Sequence, residues 1–195
     1  MNDLTRIEIE VKNCLKCILS KTRTNAVPGE GPNSANLMFI GEAPGFHEDQ
    51  EAKPFVGKAG QLLNKLLAEY GIQRSSVYIT NIVKCRPPNN RNPDPEEINN
   101  CQPYLLKQIN IINPEIIIPL GNFSLKYFFP DSSITKMRGQ LLNKGGKQIF
   151  PMLHPAAIFR KKEYFELFRK DISTLKTILE QNKLETQPRQ MPLFN

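Results

Sequence analysis

The chain has 195 residues, of which 39% are apolar and 23% are charged, and this length suffices for one domain with a proper core. It contains no run of about 18 apolar residues, so no segment is expected to cross a membrane. The first ten residues, MNDLTRIEIE, lack the apolar stretch of a secretory signal, and the expected compartment is therefore the cytoplasm. The formal net charge of +7 favours a polyanionic partner, most often nucleic acid.

Helices and strands are predicted to alternate along the chain. The predicted helices cover residues 3–13, 60–70, 95–108 and 163–180. The predicted strands cover residues 37–40, 77–80, 115–121 and 148–154. Leucines at helical spacing support the second helix, which ends at Gly71. Asp94, Pro95 and Glu97 have the order expected of an N-cap, a first helical residue and a capping-box partner.

This alternation predicts an α/β fold, a three-layer α/β/α sandwich around a central, largely parallel four-stranded sheet. Residues 1–182 are expected to form a single domain, and residues 183–195 a flexible tail without periodicity. The segments GEAPG, NIVKCRPP and HPAAIFR each follow a predicted strand. Because ligands of such folds bind at the carboxyl ends of the strands, these segments predict one composite site.

Four cysteines can form one set of four ligands: Cys14, Cys17, Cys85 and Cys101. The first two are a C-x-x-C pair, which in a chain of this class favours metal or redox chemistry over a disulfide. A tetrahedral zinc ion and a 4Fe–4S cluster both take four thiolates, and spacing alone slightly favours zinc. Unrelated buried cysteines are the other possibility, although the pair lies in a polar segment, KNCLKCILS.

The segments GEAPG, PFVGKAG, TNIVKCRPP and HPAAIFR, together with the four cysteines, resemble the family 4 uracil-DNA glycosylases. These are the iron–sulfur branch of the uracil-DNA glycosylase superfamily, and the resemblance extends from Cys14 to about Ile178. It implies hydrolysis of the N-glycosidic bond of deoxyuridine in DNA, which releases uracil and leaves an abasic site. It also implies that the four cysteines bind a 4Fe–4S cluster rather than zinc.

The resemblance places three residues around the uracil ring. Phe55 is expected to stack on a base that has been flipped out of the duplex. Asn81 is expected to distinguish uracil from cytosine, because an oriented amide pairs with the N3–H donor and the O4 acceptor of uracil. Glu48 is expected near C5, where it would exclude the methyl group of thymine. The alternatives are a core phenylalanine, a turn asparagine and a solvated loop carboxylate.

Two residues are expected to carry the chemistry, His154 and Glu42. His154 would donate a hydrogen bond to O2 of uracil as negative charge develops there, and Glu42 would position the attacking water. Gly41 and Ala43 would let the backbone approach the base. Better-known uracil glycosylases carry an aspartate where this chain has Ala43, so the water-positioning role does not carry over cleanly, and Asp49 is the fallback.

The segment HPAAIFRKK predicts a surface that enters the duplex after base flipping. Ile158 and Phe159 would form an apolar wedge beside the cationic Arg160. The alternative is a helix start whose apolar pair faces the core. Arg86 and Arg91, around the PPNNRNP loop, are expected to contact phosphates.

The tail ends in QMPLF, which resembles the peptides that bind the bacterial sliding clamp. Gln190, Leu193 and Phe194 would be its anchors. The alternative is an incidental apolar terminus.

The sequence therefore predicts a monofunctional, monomeric uracil-DNA glycosylase. No lysine in these motifs is placed to form a Schiff base, so no strand cleavage is expected. The alternative is an iron–sulfur protein that binds uracil-containing DNA without catalysis, or that captures its product covalently through a histidine.

Overall fold

A central sheet of five strands organises the molecule, which a computed structural model describes over residues 3–186, with side chains described to residue 182. The strands are β1 (Leu37–Gly41), β2 (Tyr78–Asn81), β3 (Ile116–Pro119), β4 (Leu142–Lys144) and β5 (Lys147–Ile149). Their order in the sheet is β2-β1-β3-β5-β4. All neighbours pair in parallel except β4 and β5, which are antiparallel.

Nine helices of the described residues surround or cap this sheet. They are α1 (Asp3–Lys12), α2 (Leu19–Thr22), α3 (Phe46–Glu51), α4 (Lys58–Glu69), α5 (Pro95–Ile112), α6 (Gly121–Phe128), α7 (Ile134–Met137), α8 (Pro155–Ile158) and α9 (Glu163–Thr186). Two short 3₁₀ turns cover Arg74–Ser76 and Pro88–Asn90. Within this part of the chain, no helix combines the length and apolarity needed to cross a membrane.

The alternation of side chains along β1 produces the layers. Leu37 and Phe39 pack on one face with apolar residues of α4 and α9, whereas Met38 and Ile40 pack on the other with residues of α1 and α5. Because both faces are covered, all five residues of β1 are buried. The predicted α/β class is confirmed.

The predicted strand count was too low by one. The missed strand, β4, is short and half-exposed, and it joins β5 through Gly145 and Gly146, both of which have positive φ. The predicted strand over 148–154 also ends early, because Pro151 has no N–H for a ladder; pairing returns only at a bridge between Met152 and Leu120.

Helix α5 begins where the sequence predicts. Asp94 is its N-cap, Pro95 occupies the first turn, and Glu97 accepts from the backbone N–H of Asp94 at 2.8 Å. The helix continues through Pro103 to Ile112, four residues beyond the prediction. Five helices of the described residues were not predicted, because each is only four to eight residues long and too short for a clear helical period: α2, α3, α6, α7 and α8.

Candidate active site

An open cleft of about 560 Å³ lies at the carboxyl ends of β1 and β2. Six residues singled out in the sequence as uracil-binding line it: Glu42, Ala43, Glu48, Phe55, Asn81 and His154. They come from the segments that follow β1, β2 and β5, so the topology brings together what the sequence places far apart.

The backbone of Phe55, which lines the cleft, is strained. Its φ is +54°, in the left-handed region that aromatic residues rarely adopt, and its ring lies 5.7 Å from the ring of His154. Helix α4 touches the backbone of Phe55 so closely that a Cβ at Gly60 would lie 1.8 Å from its carbonyl oxygen. The packing of α4 against this backbone therefore fixes the position of the Phe55 ring.

Gly41 permits the two candidate base-recognition groups to meet. A Cβ at this position would lie 2.3 Å from Oδ1 of Asn81 and 2.7 Å from Cζ of Phe55. Any side chain here would displace the amide, the ring or both. The glycine predicted to let the backbone approach the base thus also lets these side chains converge.

His154 has a defined tautomer. It is the N-cap of α8, and its Nδ1 accepts the N–H of Ala156 at 3.1 Å, so the ring proton is on Nε2. Burial, assisted by the charge of Arg160, lowers the pKa of His154 to about 4. At neutral pH the imidazole is consequently an uncharged donor.

Glu42 is the half-buried carboxylate next to Gly41. Burial raises its pKa above the ordinary value, and no other described residue shifts it by a charge or a hydrogen bond. Its oxygens are thus not engaged by the charged groups of the described part of the chain. A carboxylate in this state can hold a water molecule.

Glu48 and Asp49 both bind backbone amides, but at different places. Glu48 accepts the N–H groups of Gly45, Val56 and Gly57 at 3.1, 3.0 and 2.8 Å. Asp49 is 2% exposed and accepts the N–H of Thr24 at 2.9 Å, outside the cleft. The fallback role of Asp49 in positioning water is therefore wrong, because its carboxylate anchors the loop that follows α2.

The two apolar residues of the predicted wedge differ in exposure, since Ile158 is partly buried and Phe159 is exposed. Ile158 packs against the apolar core, whereas Phe159 is 61% exposed at the end of α8 and Arg160 lines the cleft. Phe159 is thus the more accessible residue of the apolar pair. Arg91 also lines the cleft but pairs with Glu97 at 2.7 Å, which reduces its charge toward a phosphate.

The four cysteines line one small cavity between α1, the segment after β2, and α5. Two N–H groups reach their sulfurs: Nη1 of Arg23 lies 2.9 Å from Sγ of Cys85, and the backbone N of Lys84 lies 3.2 Å from Sγ of Cys101. Among residues 3–182, no three cysteine, histidine or acidic side chains converge as ligands of one metal ion.

The chemistry of this donor set fits either a zinc ion or a 4Fe–4S cluster, since both take four thiolates. Zn–S bonds of about 2.3 Å would require the four sulfurs to converge on one point. A 4Fe–4S cluster instead holds four thiolates apart around a larger core, and N–H···S bonds stabilise their charge. Burial raises the pKa of the Cys101 thiol to about 11, so ligation of a metal must displace its proton.

Sequence reasoning missed two basic residues at this cavity, Arg23 and Lys84. Arg23 lies in a segment predicted only as a loop. Lys84 is 1% exposed, and its Nζ donates to Oγ1 of Thr80 at 2.6 Å and to the carbonyl of Asn81 at 2.8 Å. The lysine in the otherwise uncharged segment ITNIVKC was the available signal for a buried amine.

Comparison with known proteins identifies the family of the chain. Residues 28–176 match the model of the uracil DNA glycosylase superfamily. The chain is 47% identical over 188 residues to the type-4 uracil-DNA glycosylase of Sulfurisphaera tokodaii, covering 91% of this chain and 86% of that protein. It is 49% identical over 189 residues to that of Saccharolobus solfataricus, covering 92% and 88%. It is 47% identical over 174 residues to that of Thermotoga maritima, covering 87% and 91%. The chain therefore belongs to the uracil DNA glycosylase superfamily and, within it, to the type-4 uracil-DNA glycosylases.

Proposed function

We propose that the chain hydrolyses the N-glycosidic bond of flipped-out deoxyuridine in DNA, releasing uracil and leaving an abasic site for base excision repair. The observation that carries this proposal is the convergence of the Phe55 ring, the Asn81 amide and the neutral imidazole of His154 in one cleft. A flat apolar surface, an oriented amide and an uncharged donor are what a uracil pocket requires.

Recognition begins with the base. A flipped uracil stacks on Phe55, and Asn81 pairs with its N3–H and O4, whereas cytosine presents the reverse pattern. Gly41 and Ala43 let the backbone approach the ring. Glu48 lies near C5 and excludes the methyl group of thymine, in addition to holding its three backbone amides.

Bond cleavage develops charge on both fragments. Nε2–H of His154 donates to O2 of uracil as that oxygen becomes anionic. Because the imidazole is neutral, the protein does not have to bury a positive charge before the reaction. Glu42 orients the attacking water and stabilises the cationic sugar.

One assay distinguishes this function from its alternatives. The protein is incubated with a uracil-containing oligonucleotide, half of the sample is treated with alkali, and both halves are separated on denaturing gels. We expect cleavage only after alkali and no protein–DNA adduct. Intact DNA after multiple-turnover incubation would indicate a non-catalytic binder, and an adduct would indicate covalent capture through a histidine.

We further propose that Phe159 fills the space left in the duplex, with Arg160 binding the adjacent phosphate. The exposed ring at the end of α8 supports this role, since apolar wedges commonly enter the base stack. Ile158 supports the helix from the core side. Replacing Phe159 by alanine should reduce excision from duplexes more than from single strands.

We assign a 4Fe–4S cluster to Cys14, Cys17, Cys85 and Cys101. When bound, the cluster would tie α1 to the segment after β2 and to α5, a structural role. Anaerobically purified protein should contain about four irons per chain and show a broad visible absorbance from thiolate-to-iron charge transfer. A colourless protein that contains zinc would overturn this assignment.

The tail peptide lies outside the described residues, and its role is proposed from sequence alone. Gln190, Leu193 and Phe194 would bind a bacterial sliding clamp and bring the glycosylase to replication forks. Removing residues 190–195 should abolish capture of the protein by an immobilised clamp, whereas Gln187→Ala should not. Equal capture of the truncated and intact proteins would contradict this role.

A single catalytic domain over residues 1–182, a monomeric state and a cytoplasmic location complete the proposal. Sedimentation with and without uracil-containing DNA tests the monomeric state.

A further inference from the structure

We infer that Phe46 and Arg86 form a second base-stacking surface, at the lip of the cleft, which binds a DNA base next to the flipped uracil. This inference rests on the binding of uracil-containing DNA and adds a subsite outside the uracil pocket. Neither residue lines the cleft itself.

Phe46 is exposed although it is aromatic. Among the described residues, the exposed large hydrophobic side chains include two aromatic rings, Phe46 at 52% and Phe159 at 61%. Both adjoin the cleft: Phe46 lies between Gly45 and Glu48 in the chain, and Phe159 lies beside Arg160. Solvent exposure of a phenylalanine costs free energy, and two such rings at one cleft point to a ligand that covers them.

Neighbouring side chains orient the Phe46 ring. The guanidinium carbon of Arg86 lies 5.1 Å from the centre of this ring, and His47 meets it edge-on at 5.5 Å. Nε of Arg86 donates to Oδ1 of Asn90 at 2.8 Å, and Asn90 lines the cleft. The ring and the guanidinium therefore form one ordered surface that is joined to the cleft wall.

The chemistry of this surface suits a nucleobase. Aromatic rings beside arginines are the usual stacking surfaces of proteins that bind single-stranded nucleic acid, because every base offers a π-face and every nucleotide a phosphate. Consecutive phosphates of one strand are only several ångströms apart, so a neighbour of the flipped uracil must lie at the lip of the cleft. When uracil flips out, the neighbouring base loses a stacking partner, and this surface can replace that partner.

The test uses the full-length protein and oligonucleotides in which uracil carries a 2′-fluoro substituent that resists cleavage. 2-Aminopurine is placed on the 5′ side in one oligonucleotide and on the 3′ side in another, since its fluorescence is quenched on stacking. Binding is followed by anisotropy, and stacking by fluorescence at saturating protein. The variants are Phe46→Ala, Phe46→Leu and Phe46→Trp, with Leu106→Ala as the control for loss of an exposed apolar side chain.

We expect Phe46→Ala to weaken binding about tenfold, the effect of losing one stacked base, and to restore the fluorescence on one side of the uracil. Phe46→Leu should behave like Phe46→Ala, and Phe46→Trp like the wild type, because stacking requires an aromatic ring. Leu106→Ala should leave both signals unchanged. Wild-type affinity and quenching in Phe46→Ala or in Phe46→Leu would overturn the inference, whereas failure of the wild type to bind would overturn the proposed function.

Discussion

At the scale of single residues, burial shifts the pKa values of His154 and Glu42, the two residues proposed to carry the chemistry, in opposite directions. Burial lowers the pKa of His154 to about 4 and raises that of Glu42 above its ordinary 4.5. The imidazole is thus neutral whenever the carboxylate is ionised. The order of these values follows from desolvation, which disfavours the charged form of either group.

This order predicts the pH dependence of excision. As pH falls, Glu42 is protonated before His154, so the wild-type rate should fall with a midpoint above pH 4.5. Glu42→Gln should be slower by roughly 10²–10⁴-fold, and its residual rate should fall only near pH 4, where His154 gains a proton. Single-turnover rates between about pH 3 and 8 test this, with Glu51→Gln as the control. An unchanged midpoint in Glu42→Gln would contradict the assignment.

A second prediction at the level of single residues concerns Asn81. Asn81→Asp replaces the amide donor by a carboxylate oxygen, which repels O4 of uracil instead of donating to it. Excision of uracil should fall on the order of 10⁴-fold, because a buried polar group of the base is left unpaired. Asn122→Asp is the matched control, since Asn122 uses only its oxygen, which accepts the N–H of Ile134. Comparable losses in both variants would indicate general destabilisation.

At the scale of elements, Glu48 joins the start of α3 to the loop that carries Phe55. Its carboxylate accepts three backbone N–H groups, and hydrogen bonds to a charged group contribute about 1.5–3 kcal/mol each. We expect Glu48→Ala to lower the free energy of unfolding by about 2 kcal/mol or more and to slow excision by displacing Phe55. Urea titration measures the first effect.

The variant Glu48→Gln tests the anchoring role of Glu48 separately from its proposed role in excluding thymine. The amide keeps one acceptor oxygen and a similar shape, so it should lose less stability than Glu48→Ala and still reject thymine. Thymine-containing oligonucleotides test the second point. Rejection of thymine by Glu48→Ala as firmly as by the wild type would leave Glu48 with the anchoring role alone.

The sequence predicted those elements whose local signals agree with their packing. The leucines of α4 and the capping box of α5 are strong periodic and polar signals, and both helices are present. The β4–β5 hairpin was missed because its strands are only three residues each and largely polar, although its Gly-Gly turn was visible in the sequence.

The candidate site was predictable as a set of residue types but not as a geometry. The positions of Phe55, Asn81 and His154 followed from motifs. The left-handed backbone at Phe55, the tautomer of His154 and the buried Lys84 depend on contacts between segments far apart in sequence. Such contacts produce no periodic pattern of residue types in the sequence, so they could not be predicted from it.

At the scale of the whole molecule, the cysteine cavity and the cleft are connected through Lys84. Its backbone N–H reaches Cys101, and its Nζ reaches the carbonyl of Asn81. Lys84 therefore contacts the proposed cluster site through its backbone and the end of β2, at Asn81, through its side chain. We expect a rearrangement of the cysteines to shift Lys84 and, through it, the backbone of Asn81.

Loss of one cluster ligand should therefore loosen the N-terminal part of the fold and impair recognition of uracil together. In Cys14→Ser we expect iron content to fall, amide hydrogen exchange in α1 and α2 to rise, and exchange in α4 and α9 to change little, because the buried apolar residues of α4 and α9 belong to the hydrophobic cluster on the opposite face of the sheet. Leu15→Ala is the matched control, since this neighbouring side chain is 80% exposed. Excision by Cys14→Ser should fall even under conditions in which the chain stays folded.

Full iron content and wild-type exchange in Cys14→Ser would remove Cys14 from the ligand set, whereas iron loss without faster exchange in α1 would show that the cluster does not hold this helix in place.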